Sequence, residues 1–197
     1  MEQTIAPHIR PTIGDCAPDA MVSVAIDAPP ILLSSVWKEG PALLVFLRHL
    51  GCIFCREHVA MLRADQGTFE RLHTRVALVT LNTPNSTINF CEDRVPNATF
   101  VCLSDQTKQA YQAYGLSRTN TRDLLLSPHI YSRGFQAALH GHFNGIPTVD
   151  PFQMPGVFIV DQSGIIRYAH RHKDAADNPS NSTLIEVLEA LTPRSHQ

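Results

Sequence analysis

Apolar runs of strand length alternate along this chain with stretches of helical spacing. The run PALLVFLR (41–48) and the run RVALVTL (75–81) are continuous enough to predict strands that are buried on both faces. Between them, apolar side chains recur every three or four residues from Cys55 to Leu72, which is one face of an amphipathic helix. These three segments therefore predict a βαβ unit.

The same alternation continues towards the C-terminus. The further predicted elements are helices over 85–93, 106–114 and 182–191, and strands over 99–103, 156–161 and 165–170. The last two strands are joined by Gln162-Ser163-Gly164, a turn sequence typical of an antiparallel hairpin. This order predicts an α/β fold with a mixed central sheet and helices on both faces.

The pattern predicts a single domain over residues 21–197. Residues 1–20 are rich in proline and turn-forming residues and are expected to form an extended arm. Two short apolar runs, 21–26 and 31–33, flank Asp-Ala-Pro-Pro and predict a small hairpin at the start of the domain. Residues 117–153 interrupt the alternation of predicted strands and helices with several Gly and Pro residues. Insertions of this length are usually functional or mobile.

The composition narrows the classes of function. The chain has 197 residues, of which 44% are hydrophobic and 17% are charged, and this composition is typical of a globular protein. Its formal net charge of −2 gives no excess of basic residues for binding nucleic acid. It has no apolar run near the ~20 residues that span a bilayer, and residues 1–14 lack a signal-peptide pattern. Five irregularly spaced cysteines argue against a secreted disulfide scaffold, so we expect a soluble, cytoplasmic protein.

The chemistry of the chain centres on Cys52 and Cys55, which form a Cys-x-x-Cys motif between a predicted strand and a predicted helix. A helix N-terminus carries partial positive charge and unpaired N–H groups, which favour the reactive thiolate over the thiol. Four cationic or titratable side chains stand close by in the sequence: Arg48, His49, Arg56 and His58. This placement favours a redox-active dithiol.

Other interpretations of the cysteines and histidines remain open. Zinc would need a fourth ligand besides Cys52, Cys55 and His58, and two inert core thiols are the other alternative. The pairs His140/His142 and His170/His172 are interpreted as surface histidines rather than metal ligands. The three other cysteines are expected to pack in the core or to be inert, with Cys91 as a candidate distant resolving thiol: Cys16, Cys91 and Cys102.

The segment PALLVFLRHLGCIFCREHVAML resembles the active-site segment of thioredoxin-like, peroxiredoxin-like (AhpC/TSA-type) proteins, in their C-x-x-C branch related to prostamide/prostaglandin F synthase. GDCAPD (14–19), LSDQTKQAYQAYGL (103–116) and GVFIVDQSGIIRYAH (156–170) are similar to other motifs of that family. The resemblance covers most of residues 14–191. It implies a thioredoxin-like fold and a thiol-dependent oxidoreductase that acts on a peroxide, an endoperoxide or a disulfide.

The chain departs from the peroxiredoxin pattern in its active-site segment. When the chain is aligned with that pattern, Cys55 corresponds to the peroxidatic cysteine, Cys52 to the Thr/Ser position and Arg48 to the Pro position. The hydroxyl that would orient a peroxide is therefore missing, Met154-Pro155 stands in place of an expected arginine, and no cysteine follows Cys102. These differences argue against efficient peroxidase activity, but not against dithiol chemistry.

The resemblance also implies a substrate pocket next to the dithiol. Its expected lining is Arg48, His49, His142, Phe143, Phe152, Met154 and Pro155. Pro155 stands where thioredoxin-like proteins carry a cis-proline, and both isomers are considered for it. The loop from His142 to Met154 is predicted to lie over the dithiol, with Pro155 in contact with it.

The implied partners are an oxidising substrate and thioredoxin or glutathione as the reductant, with no bound organic cofactor or metal. A homodimer is among the oligomeric states considered. For a peroxide substrate we expect Cys55 to attack and Cys52 to resolve, and for a disulfide substrate the reverse. Two rival hypotheses keep the fold: a non-redox isomerase or addition enzyme that uses a Cys or His, and a redox-sensing partner protein.

Overall fold

The computed structural model describes residues 10–97, 99–119 and 149–191. Seven strands and five α-helices are described in these ranges. The strands are β1 Met21–Val22, β2 Ile31–Leu32, β3 Ala42–Phe46, β4 Arg75–Thr80, β5 Val101–Ser104, β6 Gly156–Val160 and β7 Ile166–Arg171. The helices are α1 Ile53–Ala64, α2 Gln66–Arg71, α3 Pro84–Arg94, α4 Gln109–Ala113 and α5 Asn181–Leu191. A short 3-10 helix, Leu33–Trp37, follows β2.

Five strands form one mixed sheet in the order β5-β4-β3-β6-β7. β3, β4 and β5 are parallel to one another. On the other side of β3, β6 pairs antiparallel with β3, and β7 pairs antiparallel with β6. The central strand β3 is completely buried because it has a neighbour on each edge and packing on each face. The predicted five-stranded mixed sheet and the α/β, thioredoxin-like fold class are confirmed.

Alternate side chains of the sheet point into two separate cores. Leu43, Val45 and Leu47 pack with residues of α1, α3 and α5 on one face. Leu44 and Phe46 pack on the other face with the 3-10 helix and α4. This division follows from the two-residue period of a strand, and it places the dithiol helix α1 on the first face.

The predicted elements differ from the observed ones mainly at their ends. The predicted helix from Cys55 to Leu72 is two helices, because the backbone at Asp65 leaves the helical region (φ −101°, ψ 14°) before α2 begins. The predicted hairpin at the start of the domain is observed as the antiparallel pair β1–β2. The end of the N-terminal arm lies along the final hairpin, where Ala17 N donates to Gly164 O at 2.8 Å.

Cys91 and Cys102 form a disulfide that joins α3 to β5, with Cα atoms 6.6 Å apart. Both cysteines pack in the first core, as expected, but the disulfide between them was not predicted, because it depends on the sheet register that brings β5 under the last turn of α3. Cys16 is a free, exposed cysteine and does not belong to the core, because it lies on the outer side of the hairpin. No helix in the described ranges is long and apolar enough to cross a membrane.

Candidate active site

The dithiol lies where β3 leaves the sheet and α1 begins. Cys52 is the N-cap of α1, with extended backbone (φ −72°, ψ 121°), and its carbonyl accepts the first helical hydrogen bond from Arg56 N at 3.0 Å. Cys55 follows in the first turn of the helix, as the sequence predicts. Both side chains are buried, with 2% and 3% of their surface exposed, so the pair is shielded from bulk solvent.

Of the two thiols, Cys52 has the lower pKa. The Cys55 thiol donates a hydrogen bond to it, and this lowers the pKa of Cys52 from its usual 9.0 to about 6. Burial acts in the opposite direction, but the backbone N–H groups of Cys55 and Phe54 and the charge of Arg48 add to the lowering. A thiol with this pKa is mostly ionised at neutral pH.

Cys55 keeps its proton more firmly. Its hydrogen bond to Cys52, its burial and the negative charge on Cys52 raise its pKa well above the usual value. The backbone N–H groups of Arg48 and His49 oppose this rise, and Arg48 N lies 3.4 Å from Cys55 Sγ. The two thiols therefore differ: the pKa of Cys52 is lowered and that of Cys55 is raised.

Of the four cationic or titratable neighbours in the sequence, two are arginines and two are histidines. Arg48 is buried and donates from Nε to Pro151 O at 2.7 Å, and Arg56 Nε donates to Leu50 O at 2.9 Å. Burial lowers the pKa of His49 to about 4, assisted by Arg48 and Arg56. Burial also lowers the pKa of His58 to about 4, so both histidines are neutral at pH 7.

The expected pocket residues are only partly described. Phe152 is half-buried, and Met154 and Pro155 are buried just before β6 begins. His142 and Phe143 lie outside the described residues. None of the peptide bonds in the described ranges is cis, so Pro155 follows a trans bond. The covering of the dithiol by this loop, and its contact with Pro155, stay predictions.

The two described ends of the long 117–153 insertion lie side by side. Arg118 pairs with Gln153 in an isolated antiparallel bridge, and Thr119 N donates to Phe152 O at 2.8 Å. Asp150 accepts hydrogen bonds from Lys108 and Arg118. The insertion thus returns to the sheet next to Pro151, whose carbonyl binds Arg48.

The interpretation of His170 and His172 as surface residues is wrong. His172 is buried and His170 is half-buried, and both lie near the buried His58 of α1. The rings of His170 and His172 lie 5.2 Å apart. Within the described ranges, no group of three or more His, Cys, Asp or Glu side chains is arranged to hold a metal ion.

The sequence did not identify two residues that support the dithiol helix and its loop. Asn178 Nδ2 donates to Phe54 O at 3.1 Å and thus supports the dithiol helix from a distant loop. The Tyr111 hydroxyl lies 2.5 Å from Leu47 O, next to the start of the dithiol loop. Neither residue has a local sequence signal, since both act through contacts across the fold.

Comparison with known proteins identifies the family. The AhpC/TSA family model matches residues 13–169. The chain belongs to the AhpC/TSA family. It is a peroxiredoxin-like, thiol-dependent oxidoreductase, as the resemblance implied.

Individual AhpC/TSA relatives are distant. Bovine peroxiredoxin-like 2C is 22% identical over 164 residues, which are 79% of this chain and 71% of that protein. The zebrafish (Danio rerio) prostamide/prostaglandin F synthase is 28% identical over 169 residues, covering 81% of this chain and 78% of that protein. The crystal structure of peroxiredoxin 5 from Alvinella pompejana superposes with a TM-score of 0.66 at 12% identity, covering 91% and 98% of the two chains.

Proposed function

We propose that this AhpC/TSA protein reduces a small peroxide through a Cys52/Cys55 dithiol cycle, with Cys52 as the attacking thiolate. The observation that carries the proposal is the lowered pKa of Cys52, to about 6, at the N-terminus of α1. A disulfide is the second substrate class that the same thiolate can attack, and an endoperoxide, which the family resemblance implied, is a third.

The proposed cycle has three steps. The Cys52 thiolate attacks one oxygen of the O–O bond, which gives a Cys52 sulfenic acid and an alkoxide or hydroxide that takes up a proton. The Cys55 thiol then loses its proton, its sulfur attacks the Cys52 sulfur, and water leaves as the disulfide forms. An external dithiol or two thiols reduce this disulfide and are themselves oxidised.

The choice of Cys52 revises the sequence-based expectation for peroxides. Cys55 was expected to attack because it occupies the peroxidatic place, and the N–H of Arg48 3.4 Å from its sulfur is consistent with that role. However, the Cys55 thiol donates a hydrogen bond to Cys52 and so keeps its proton, and burial further opposes its ionisation. We therefore propose that Cys55 resolves, and the experiment below distinguishes the two assignments.

The burial of Cys52 and Cys55 favours a small substrate. With only 2% and 3% of the two side chains exposed, the sulfurs are reached more readily by hydrogen peroxide or a small hydroperoxide than by a protein disulfide. The reductant must also reach the Cys52–Cys55 disulfide, so we propose that the dithiol loop opens during reduction. Thioredoxin and glutathione are the proposed reductants.

The deciding experiment traps the first oxidation product. Cys52→Ser and Cys55→Ser proteins receive one equivalent of hydrogen peroxide in the presence of a sulfenic-acid trap, and mass spectrometry locates the label. We expect Cys55→Ser to form a trapped sulfenic acid at Cys52, and Cys52→Ser to react much more slowly. Labelling of Cys55 in Cys52→Ser alone would reinstate the sequence-based assignment.

Absence of oxidation at either cysteine, even with excess peroxide or a small disulfide, would contradict the redox function. It would favour the non-redox enzyme, in which a neutral His49 or His58 acts as base, or the redox-sensing role. The matched control is a Cys16→Ser protein, since Cys16 is a free, exposed thiol that could take up label. Its removal should leave the labelling of Cys52 unchanged.

The proposed cytoplasmic location can be tested with the second cysteine pair. Stable disulfides are rare in the cytosol, where thiols are kept reduced. Rapid thiol trapping in living cells should therefore find Cys91 and Cys102 reduced if the protein is cytoplasmic. A fully oxidised pair would contradict that location.

A further inference from the structure

Tyr111 reaches the dithiol loop from the opposite side of the sheet. It lies on α4, is fully buried in the second core, and its ring packs edge-on against Phe46 with 5.1 Å between ring centroids. Its hydroxyl lies 2.5 Å from Leu47 O and 2.9 Å from Val79 O. The hydroxyl is therefore placed at the ends of β3 and β4, where the chain turns towards Cys52.

The Leu47 carbonyl needs a donor at this position. β3 ends at Phe46 and β4 ends at Thr80, so the regular ladder stops here, and Leu47 N donates the last bond to Val79 O at 2.9 Å. Leu47 is buried, and a buried carbonyl without a donor is costly. Val79 O already accepts a bond, whereas Leu47 O depends on the Tyr111 hydroxyl proton.

The same peptide group contacts the dithiol. The carbonyl of Leu47 and the N–H of Arg48 belong to one amide, and Arg48 N lies 3.4 Å from Cys55 Sγ. A hydrogen bond to an amide oxygen shifts electron density away from the nitrogen, because the C–N bond is conjugated. The N–H consequently becomes a stronger donor, which is the cooperative effect known for chains of hydrogen bonds.

We propose that Tyr111 is a positioning residue for Cys55, which holds and polarises the Leu47–Arg48 peptide so that its N–H stabilises the Cys55 thiolate. The inference rests on the proposed function, in which Cys55 must lose its proton to close the disulfide. The electrostatics agree with it: burial first, and then the charge on Cys55, raise the pKa of Tyr111. The Tyr111 hydroxyl therefore keeps its proton, which it donates to Leu47 O.

The position of Tyr111 is itself fixed by a buried carboxylate. Asp105 Oδ2 accepts from Tyr111 N at 3.1 Å, and Oδ1 accepts from Gln109 N at 3.0 Å, which caps the short helix α4. Asp105 N in turn donates to Thr80 O at 2.7 Å. The helix that carries Tyr111 is thus attached to the end of β4, the strand beside the dithiol strand.

Several other groups influence the titration of Cys55. They are Cys52 at the N-cap of α1, the backbone N–H groups of Arg48 and His49 on the loop after β3, and Arg56 on α1. His58 on α1 and His172, which lies near it, are also buried. A Tyr111→Phe substitution changes none of them. It removes a single hydroxyl and keeps the ring that packs on Phe46.

Tyr114 provides a matched control. It lies just beyond α4, is buried, and its ring centroid is 5.0 Å from that of Phe46, but its hydroxyl has no hydrogen-bond partner among the described residues. Tyr111→Phe and Tyr114→Phe are therefore the same chemical change in the same core. Only the first interrupts the hydrogen bond to Leu47 O.

The experiment titrates Cys55 in a Cys16→Ser/Cys52→Ser background. With Cys91 and Cys102 joined in their disulfide, Cys55 is then the single free thiol. Thiolate absorbance and alkylation rate are followed against pH. We expect Tyr111→Phe to raise the pKa of Cys55 by about one unit, roughly a tenfold loss of thiolate at a given pH below it, and Tyr114→Phe to leave it unchanged.

Equal shifts in both variants, or no shift in Tyr111→Phe, would overturn the proposal. If Tyr111→Phe does not fold, the background protein with selectively labelled tyrosine rings is titrated by NMR instead. The Tyr111 ring carbon that bears the hydroxyl and the Arg48 amide should then shift with the Cys55 titration, while Tyr114 should not. An unresponsive Tyr111 would contradict the inference.

These readouts need no catalytic turnover, so they separate this inference from the proposed function. A wild-type protein that reduces no peroxide or disulfide, but whose Tyr111→Phe variant raises the pKa of Cys55, would overturn the dithiol cycle and retain the hydrogen-bond chain. The reverse result would retain the cycle and remove Tyr111 from it.

Discussion

The two cysteine pairs of this protein lie at opposite kinds of helix end. Cys52 and Cys55 lie at the N-terminus of α1, where free N–H groups and the helix dipole stabilise a thiolate. Cys91 lies in the last turn of α3, where the dipole is reversed, and is joined to Cys102 on β5. The same residue type thus forms a pair of free thiols, the proposed reactive dithiol, in one place and a disulfide in the other.

The surroundings strengthen this contrast. Buried, neutral histidines and two arginines surround the dithiol, whereas the disulfide borders a cavity of about 330 Å³ that is lined in part by Val95, Pro96 and Phe100. Reactivity therefore depends on donors and nearby charge, and four testable outcomes follow from the comparison.

The largest expected effect separates the pairs by turnover. Cys52→Ser should lower thiol-dependent peroxide reduction by about a thousandfold or more, because the attacking sulfur is lost. The double variant Cys91→Ser/Cys102→Ser should retain the wild-type rate within about threefold, since its sulfurs do not take part in the proposed cycle. Steady-state assays with a thioredoxin system measure both. A comparable loss in the double variant would show that the second pair takes part in turnover.

Acid should weaken the dithiol region selectively. The pKa of His58 is lowered to about 4 in the folded state, against about 6.5 when unfolded, so the unfolded state takes up the proton first. The contribution is fully present above pH ~6.5 and is lost as the pH falls towards ~4, by on the order of 3 kcal/mol. Urea unfolding against pH measures it, and hydrogen exchange should show α1 opening before α3.

A pair of variants tests the source of this acid sensitivity. His58→Phe should reduce the pH dependence of the free energy of unfolding by the contribution of His58, because a buried phenylalanine takes up no proton. His49 and His172, whose pKa values are also lowered, should keep the remainder. The control His73→Asn changes an exposed histidine at φ 50°, a conformation that asparagine tolerates, and should leave the dependence as it is. If the free energy of unfolding of His58→Phe falls with pH as much as that of the wild type, the acid sensitivity belongs to other groups.

The disulfide should contribute stability instead of activity. It closes a loop with a sequence separation of 11, for which the chain-entropy model gives ~2–3 kcal/mol. Cys91→Ser/Cys102→Ser should therefore lower the free energy of unfolding by about that amount in urea titrations. Equal unfolding midpoints for this variant and the wild type would show that the cross-link does not stabilise the fold.

The smallest expected effect concerns the support of the dithiol helix. Asn178→Ala removes the hydrogen bond to Phe54 O and should lower the free energy of unfolding by ~1 kcal/mol. Asn97→Gly, at an exposed position with φ 60° outside the dithiol region, is the control. We expect the alkylation rate of Cys52 to change in the first variant only. Unchanged alkylation would mean that α1 is held firmly without Asn178.

Much of the fold was predictable because its signals are local. The continuous apolar runs identify β3 and β4, and the turn Gln162-Ser163-Gly164 identifies the β6–β7 hairpin, since strand burial and turn chemistry depend on neighbouring residues. The position of Cys55 in the first helical turn follows from the same reasoning. The break at Asp65 was missed because the helical spacing continues into α2.

The candidate site was predictable only in part. The sequence identified Cys52 and Cys55, but it left the charge of His49 and His58 open, and burial keeps both neutral. It also left His172 at the surface. The charge state of a histidine depends on its surroundings in three dimensions, and spacing along the chain does not report them.

The sequence by itself determined the order of elements, the dithiol motif and the family resemblance, because each is written in contiguous residues. Tertiary structure decided in which direction the pKa of each thiol moves, since that depends on the N–H groups and charges around each sulfur. It also joined Cys91 to Cys102 and brought the Tyr111 hydroxyl to Leu47, 64 residues away in sequence. Such contacts arise only when distant segments pack together, which no local pattern encodes.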